Sequence, residues 1–128
     1  MELSEDLLDL LGAMAEDDGF LPHDLASGFG GPALIRTAIL AGLVAAATRR
    51  APVQPKNPIL GLFVTWRYDG YVLTEDGRPL ADIGRRMRLA PRLHALGEQA
   101  SPERDARLRR LYLIEAQDWL DRPRRQPA

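Results

Sequence analysis

The chain has no cysteine, and only one of its 17 basic residues is a lysine. Without cysteine it can form neither a disulfide framework nor a thiolate metal site. No charged segment followed by an apolar run of the signal-peptide kind opens the sequence. The weakly charged stretch 37–48 is about a dozen residues long, whereas a membrane helix needs roughly twenty. We therefore expect a soluble, cytoplasmic protein with no membrane association.

Residues that carry chemistry are few and scattered. The two histidines, His23 and His94, lie far apart, and no acidic residue or second histidine stands where a helical metal pair would need it. Ser4, Ser27 and Ser101 each have a capping or turn explanation, and no Gly-x-Ser-x-Gly elbow is present. We expect no catalytic residue, no metal and no cofactor, and the chain is not predicted to be an enzyme.

The length of the chain allows one ordinary hydrophobic core. With 128 residues, 45% of them hydrophobic, a second domain is not expected. We predict a single domain over residues 1–121, which includes a long C-terminal helix at 101–121. Residues 122–128, rich in arginine and proline, are predicted to be a disordered tail.

Charge is distributed unevenly along the sequence. Residues 1–35 hold eight acids and no base, whereas residues 25–68 hold five bases and no acid. A surface that faces DNA would avoid carboxylates, because each would lie against a phosphate. An apolar core segment that simply carries few charges explains the pattern equally well, so charge alone leaves both interpretations open.

The first half of the chain predicts helices. Ser4 can cap a first helix, whose apolar residues recur at helical spacing as far as Met14 and which should end near Asp18. A short second helix is expected over Pro22–Ser27, before a glycine-rich turn.

A third helix is predicted to begin at Pro32, since a missing N–H costs nothing in the first turn, and to end at Gly42. Leu34, Ile35, Ala38 and Ile39 would form its inward face. Residues 43–48 are ambiguous, because the alanine triplet favours helix and Leu-Val after a glycine favours strand.

The middle of the chain predicts β-structure. Residues 49–58 contain three prolines and are expected to be an extended or mobile loop. Residues 59–67 are rich in β-branched and aromatic side chains, and Asp69-Gly70 suits a two-residue hairpin turn. A β-hairpin folded at Asp69-Gly70 is therefore predicted.

The last third predicts two further helices. Thr74 can cap a helix that runs through Arg88, although a second hairpin, 71–75 with 78–83 around Asp76-Gly77, is the alternative. Ser101-Pro102-Glu103 begins the clearest helix of the chain, because no helix breaker follows until Pro123.

Two short phrases carry a resemblance to a known family. Ala41-Gly42-Leu43-Val44 is typical of a helix that ends at glycine and continues as a strand, and residues 71–78, Tyr-Val-Leu-Thr-Glu-Asp-Gly-Arg, of a strand that enters a threonine-capped turn or helix. After a helix that starts with proline, they resemble the winged helix-turn-helix regulators of the MarR and PadR kind, over roughly residues 5–88. The resemblance implies an α+β winged helix-turn-helix fold with a β-hairpin wing and a long C-terminal helix, and it favours a strand at 43–48. The distance from Gly42 to Tyr71 is longer than a simple wing needs, so an enlarged wing or an additional strand is expected.

The resemblance also implies a function. The chain would be a DNA-binding regulator of transcription whose third helix enters the major groove of duplex DNA, while the wing contacts phosphates. The third helix carries few polar side chains, so sequence discrimination should be modest. The residues expected at the DNA are Arg36 and Thr37 of the helix, and Arg49, Arg50, Lys56 and Arg67 of the wing region.

The alternative is a protein–protein interaction module, a winged helix or small α+β adaptor, that does not bind DNA. Fold alone cannot choose between the two. Trp66, Tyr68 and Tyr71 flank the predicted turn and would be natural anchors for a protein partner, although cross-strand packing explains them as well.

The C-terminal helix predicts a homodimer. Its apolar residues spread around more than one face, and such a helix usually packs between two surfaces. One of those surfaces would be a second subunit. The residues expected in the dimer interface are Leu108, Leu111, Tyr112 and Trp119.

Overall fold

The computed structural model describes residues 1–23, 32–52, 65–94 and 102–122. These residues form four helices and a three-stranded antiparallel sheet, which confirms the α+β class. The helices are α1 (Glu5–Glu16), α2 (Pro32–Leu40), α3 (Gly77–His94) and α4 (Pro102–Asp121), and the strands are β1 (Phe20–Pro22), β2 (Val44–Pro52) and β3 (Thr65–Leu73).

Helix α1 lies at the centre of the core. The Ser4 hydroxyl accepts a hydrogen bond from the Leu7 backbone N–H at 3.1 Å, as expected for a cap. The helix ends at Glu16, and Gly19 follows with a φ of 78°. Half of its residues are buried, which gives it a core-facing surface far wider than a single stripe: Leu7, Leu8, Leu10, Leu11, Gly12 and Met14.

Helices α1 and α3 meet backbone to backbone at two glycines. A Cβ added to Gly12 would lie 2.6 Å from the carbonyl oxygen of Gly84, and one added to Gly84 would lie 3.0 Å from the nitrogen of Gly12. Real Cβ atoms do not approach this closely, so the crossing requires glycine on both helices. A contact between these two glycines was not predicted from the sequence.

Arginines of α3 and α4 neutralise the acidic side of α1. Arg88 lies 2.9 Å from Asp9 and 3.4 Å from Glu16, and Arg109 pairs with Glu5 and, at 3.7 Å, with Asp9. Three of the eight acids near the start of the sequence, Glu5, Asp9 and Glu16, are therefore paired with arginines of the same chain.

Arg86 joins α3 to α4. Its guanidinium lies 2.8 Å from Glu115 and 5.8 Å from the centre of the Tyr112 ring. The hydrogen bond to Glu115 raises the pKa of Arg86 above its ordinary value, against the opposing effect of desolvation.

The sheet has the strand order β1-β3-β2. Its register places Phe20 opposite Val72 and Val44 opposite Leu73. Two predictions differ from the structure in their bounds. Pro22 ends β1 and helical structure begins one residue later than predicted, at His23, while residues 24–27 of that predicted helix lie outside the described residues. The strand predicted at 43–48 is present but continues to Pro52, into the predicted loop 49–58.

The hairpin predicted at Asp69-Gly70 is wrong, because both residues lie within β3, which runs without interruption from Thr65 to Leu73. Packing explains why Asp-Gly does not turn. A Cβ on Gly70 would lie 2.7 Å from Cζ of Phe20 and closer still to the backbone carbonyl oxygen of Leu21, so the glycine makes room for β1. The Asp69 carboxylate accepts a hydrogen bond from Thr48 of β2 at 3.1 Å. β2 and β3 are antiparallel, and residues 53–64 between them lie outside the described residues.

Thr74 joins the end of α2 to the start of α3. Its hydroxyl donates to the Gly42 carbonyl at 2.5 Å and accepts from the Gly77 N–H at 3.1 Å, while its own N–H donates to the Leu43 carbonyl at 3.0 Å. The predicted cap is confirmed, and the alternative hairpin around Asp76-Gly77 is wrong. Helix α3 extends beyond the predicted Arg88 to His94.

Replacing Thr74 by alanine is expected to lower the free energy of unfolding by about 1–2 kcal/mol, because a capping hydroxyl is lost together with its bond to Gly42. Thr74→Ser keeps the hydroxyl and is the matched control, with an expected change under about 0.5 kcal/mol. Urea unfolding followed by circular dichroism measures both. An equal loss in the two variants would assign the effect to the methyl group instead of the hydroxyl.

Helix α4 confirms the last predicted helix. It begins at Pro102 and ends at Asp121. The Nε2 atom of Gln117 donates to the Met1 carbonyl at 3.0 Å, and its Oε1 accepts from the Leu3 N–H at 2.6 Å, so α4 also holds the first residues of the chain. Ser101 and residues 123–128 of the predicted tail lie outside the described residues.

Candidate nucleic-acid interface

Helix α2 is fixed to the core by one side and by its C-terminal end. Ile35 and Ala38 are buried. Gly42 has a φ of 75° and donates to the Ile39 carbonyl, while Leu43 donates to the Ala38 carbonyl, both at 3.0 Å. This pair of bonds is a Schellman motif, and it confirms the predicted end of the helix at Gly42.

The outward side of α2 is mostly apolar. Ala33, Arg36, Thr37 and Leu40 are exposed, and Leu40 is 82% exposed. The Thr37 hydroxyl donates to the Ala33 carbonyl of the same helix at 2.9 Å, so its proton is already engaged. Arg36 is thus the one long polar side chain that this side of the helix presents. No carboxylate pairs with it within the described residues.

A cleft of about 310 Å³ lies between α2 and the sheet. At one side the ring of His23 stacks on that of Tyr71, with 6.0 Å between centroids and 25° between planes. The cleft has apolar walls and a cationic rim supplied by Arg36. Its lining comprises His23, Pro32, Ile35, Arg36, Ile39, Leu40 and Tyr71.

Arg49 lies on the opposite side of the sheet from this cleft. Its guanidinium lies over the ring of Phe20, 5.7 Å from the centroid. Phe20 is paired with Val72, and side chains alternate along a strand, so Phe20 and Arg49 share the face that Tyr71 does not. The structure therefore does not bring Arg36 and Arg49 onto one flat surface.

The other predicted wing cations are only partly located. Arg50 and Arg67 are backbone partners in the register of β2 and β3. Their side chains, and the whole of Lys56, lie outside the described residues. Asp69 of β3 is the register partner of Thr48 in β2, next to Arg49 in the chain.

No family model, curated protein or solved structure matches the chain. The resemblance to winged helix-turn-helix regulators consequently rests on the residue pattern alone. No described helix is long and apolar enough to cross a membrane. Across the four described ranges, no group of three or more histidines and acids is placed to hold a metal ion.

The predicted dimer residues divide between the two sides of α4. Tyr112 and Trp119 pack partly buried against the core of their own chain, and Leu108 is half-buried. Leu111 is 57% exposed, and so is Ile114. The apolar residues of the helix are thus mainly used within the subunit, and a short outward patch remains.

The apolar outward side of α2 was not predicted from the sequence. Ile39 was predicted to face inward, whereas its side chain is 40% exposed. The signal was present in the sequence, because Leu34, Ile35, Ile39 and Leu40 cover most of the circumference of a helix with 3.6 residues per turn.

Proposed function

We propose that the chain is a winged helix-turn-helix protein that binds duplex DNA and thereby regulates transcription. The observation that carries the proposal is the order of the elements. Among the described residues, helix α1, strand β1, helix α2 and the strands β2 and β3 follow in this order, and the sheet has the order β1-β3-β2. In this arrangement α2 takes the role of the recognition helix, and the β2–β3 hairpin that of the wing.

The charges of the molecule support the proposal. Three of the four acids of α1 are paired with Arg88 and Arg109. Arg36 and Arg49, by contrast, have no carboxylate partner within the described part of the chain. Cations that are not neutralised internally can displace the counterions of a phosphate backbone, which is the main source of affinity in non-specific DNA binding.

The mode of binding follows from the side chains of α2. Only Arg36 can reach a base edge as a bidentate donor, and its natural partner is guanine. Because Arg49 lies on the other side of the sheet, it would contact a phosphate flanking the groove, and not the groove into which α2 inserts. We expect weak sequence preference and strong salt dependence.

Titration of random duplex DNA at about 50 mM and about 200 mM salt tests the proposal, because each phosphate contact steepens the fall of affinity with salt. Arg36→Ala is expected to weaken binding and to relax preference at one base position by about 1–3 kcal/mol. Fluorescence anisotropy measures the affinity, and selection from a random duplex library measures the preference.

Arg78→Ala is the matched control for this experiment. Arg78 is exposed at the start of α3 and lines a shallow cleft with Asp18 and Asp82, where carboxylates would repel phosphate. Its loss should leave the affinity within about twofold of the wild type, as for other distant surface substitutions. Absence of DNA binding at the lower salt concentration would defeat the proposal.

A protein partner for α2 is the second candidate function. Leu40, at 82% exposed, and Ile39 lie beside the cleft and form an apolar patch of the kind found in protein interfaces. If the DNA titration shows no binding, this candidate takes precedence. Tyr71, one of the predicted aromatic anchors, is half-buried under α2 and lines the same cleft, whereas the side chains of Trp66 and Tyr68 lie outside the described residues.

A further inference from the structure

We propose that α4 forms an antiparallel helix pair with α4 of a second copy of this chain, about a two-fold axis that passes between Tyr112 and Leu113. The starting observation is the outward patch of Leu111 and Ile114, each 57% exposed. The two residues are one turn apart near the middle of the helix. They are its two large apolar side chains that the chain itself leaves open to solvent.

The charged residues on either side of this patch indicate that a second copy of the same chain covers it. Arg107 lies one turn before Leu111, and Asp118 lies one turn after Ile114, on the same side of the helix. Both are exposed. In an antiparallel pair, positions at equal distances from the axis meet. Leu111 then contacts Ile114 of the second copy, and Arg107 contacts Asp118 of the second copy.

The same axis matches further charges. Arg110 comes opposite Glu115 of the second copy, whose carboxylate also holds Arg86 of its own chain at 2.8 Å and can accept further hydrogen bonds, so opposite signs meet on both sides of the apolar contact. A parallel pair would place Arg107 against Arg107 and Asp118 against Asp118, where like charges repel. The surface is therefore complementary to itself in the antiparallel orientation, which is what a closed two-fold dimer requires.

The charged groups are available for these contacts. No carboxylate pairs with Arg107 within the described residues. The Asp118 carboxylate is 68% exposed and holds Arg122 at 3.1 Å, and a carboxylate can accept several hydrogen bonds at once. The proposed contact differs from the dimer interface predicted from the sequence, because it involves only the Leu111 side of α4. Tyr112 and Trp119 remain packed against the core of their own chain. The proposed contact does not depend on whether the protein binds DNA.

Charge reversal tests the proposal on the full-length protein. Sedimentation equilibrium of the wild type should show a reversible dimer of twice the 14.2 kDa chain mass. R107E and D118R each turn two symmetric attractions into repulsions, so each should raise the dissociation constant about tenfold. In the double variant R107E/D118R the opposite charges meet again, and the constant should return to within about threefold of the wild type.

R85E is the matched control, because Arg85 is an exposed arginine of α3 outside the proposed contact. It should leave the dissociation constant unchanged, and circular dichroism should show the same helix content in every variant. A wild type that stays monomeric at all concentrations overturns the proposal. The proposal is also overturned if neither single charge reversal raises the dissociation constant, or if R85E raises it as much as they do. It is overturned as well if the double variant dissociates as readily as the single variants.

Discussion

Replacing Gly84 by alanine is expected to lower the free energy of unfolding by about 2–3 kcal/mol, the upper part of the usual range for overpacking. The new Cβ would lie 3.0 Å from the nitrogen and 3.1 Å from the Cα of Gly12, and closer still to the Leu8 carbonyl. These are backbone atoms, which cannot rotate away as a side chain can. In an exposed helix the same substitution would raise stability by about 1 kcal/mol, so the sign of the effect is diagnostic.

Urea unfolding at a fixed protein concentration measures the effect, and Gly42→Ala is the control. Gly42 has a φ of 75°, and a Cβ there would meet nothing within 4 Å. Its replacement should therefore cost only the left-handed backbone conformation, about 1–2 kcal/mol. A Gly84→Ala variant that is more stable than the wild type would show that α1 and α3 do not cross in backbone contact.

Replacing Leu11 by alanine is expected to lower the free energy of unfolding by about 2–5 kcal/mol, because a fully buried leucine loses its transfer energy and leaves a cavity. Leu11 is 0% exposed in the centre of α1. Since small domains are stable by only about 5–15 kcal/mol, this loss can approach the whole.

Leu40→Ala is the matched control, since it removes the same atoms from a side chain that is 82% exposed. Its expected effect is under about 0.5 kcal/mol. Thermal and urea unfolding of both variants provide the comparison. Similar losses at the two positions would contradict the placement of α1 at the centre of the core and of Leu40 on the surface.

The parts of the fold that were predictable from the sequence are those determined locally. Ser4, Gly42 and Thr74 each form one bond to a backbone group only three residues away, at Leu7, Ile39 and Gly77. The helix boundaries that depend on these bonds were predicted correctly, whereas the bonds of Thr74 to the distant Gly42 and Leu43 were not predicted. Proline at the first position of a helix is equally local, and it marked the starts of α2 and α4 at Pro32 and Pro102.

The errors arose where a distant contact overrides a local signal. Asp69-Gly70 has the composition of a hairpin turn, yet it lies within a strand, because the ring of Phe20 occupies the space that a side chain at Gly70 would need. Likewise, nothing near Gly12 or Gly84 in sequence indicates that the two glycines meet. Such pairs become visible only when the helices are placed against each other.

In the candidate site, too, local features were predictable and features that depend on distant contacts were not. Helical periodicity predicted that Arg36 would be exposed near the middle of α2. Arg49 lies over Phe20, on the far side of the sheet from Arg36, because β1 pairs with β3. The spacing of the arginines in the sequence could not predict that placement.

The junction at Thr74 has a consequence for changes in chain length. One residue bonds to Gly42 and Leu43 at the end of α2 and also caps α3, so its position is fixed from both sides. Inserting one residue between Leu73 and Thr74 would displace that hydroxyl by about 3.3 Å, the rise of one residue in a strand, and would break these bonds together. Deleting one would have the same effect. Natural variants and engineered fusions should therefore keep the number of residues between β3 and α3 constant, even though the segment is an exposed turn, where insertions are ordinarily tolerated.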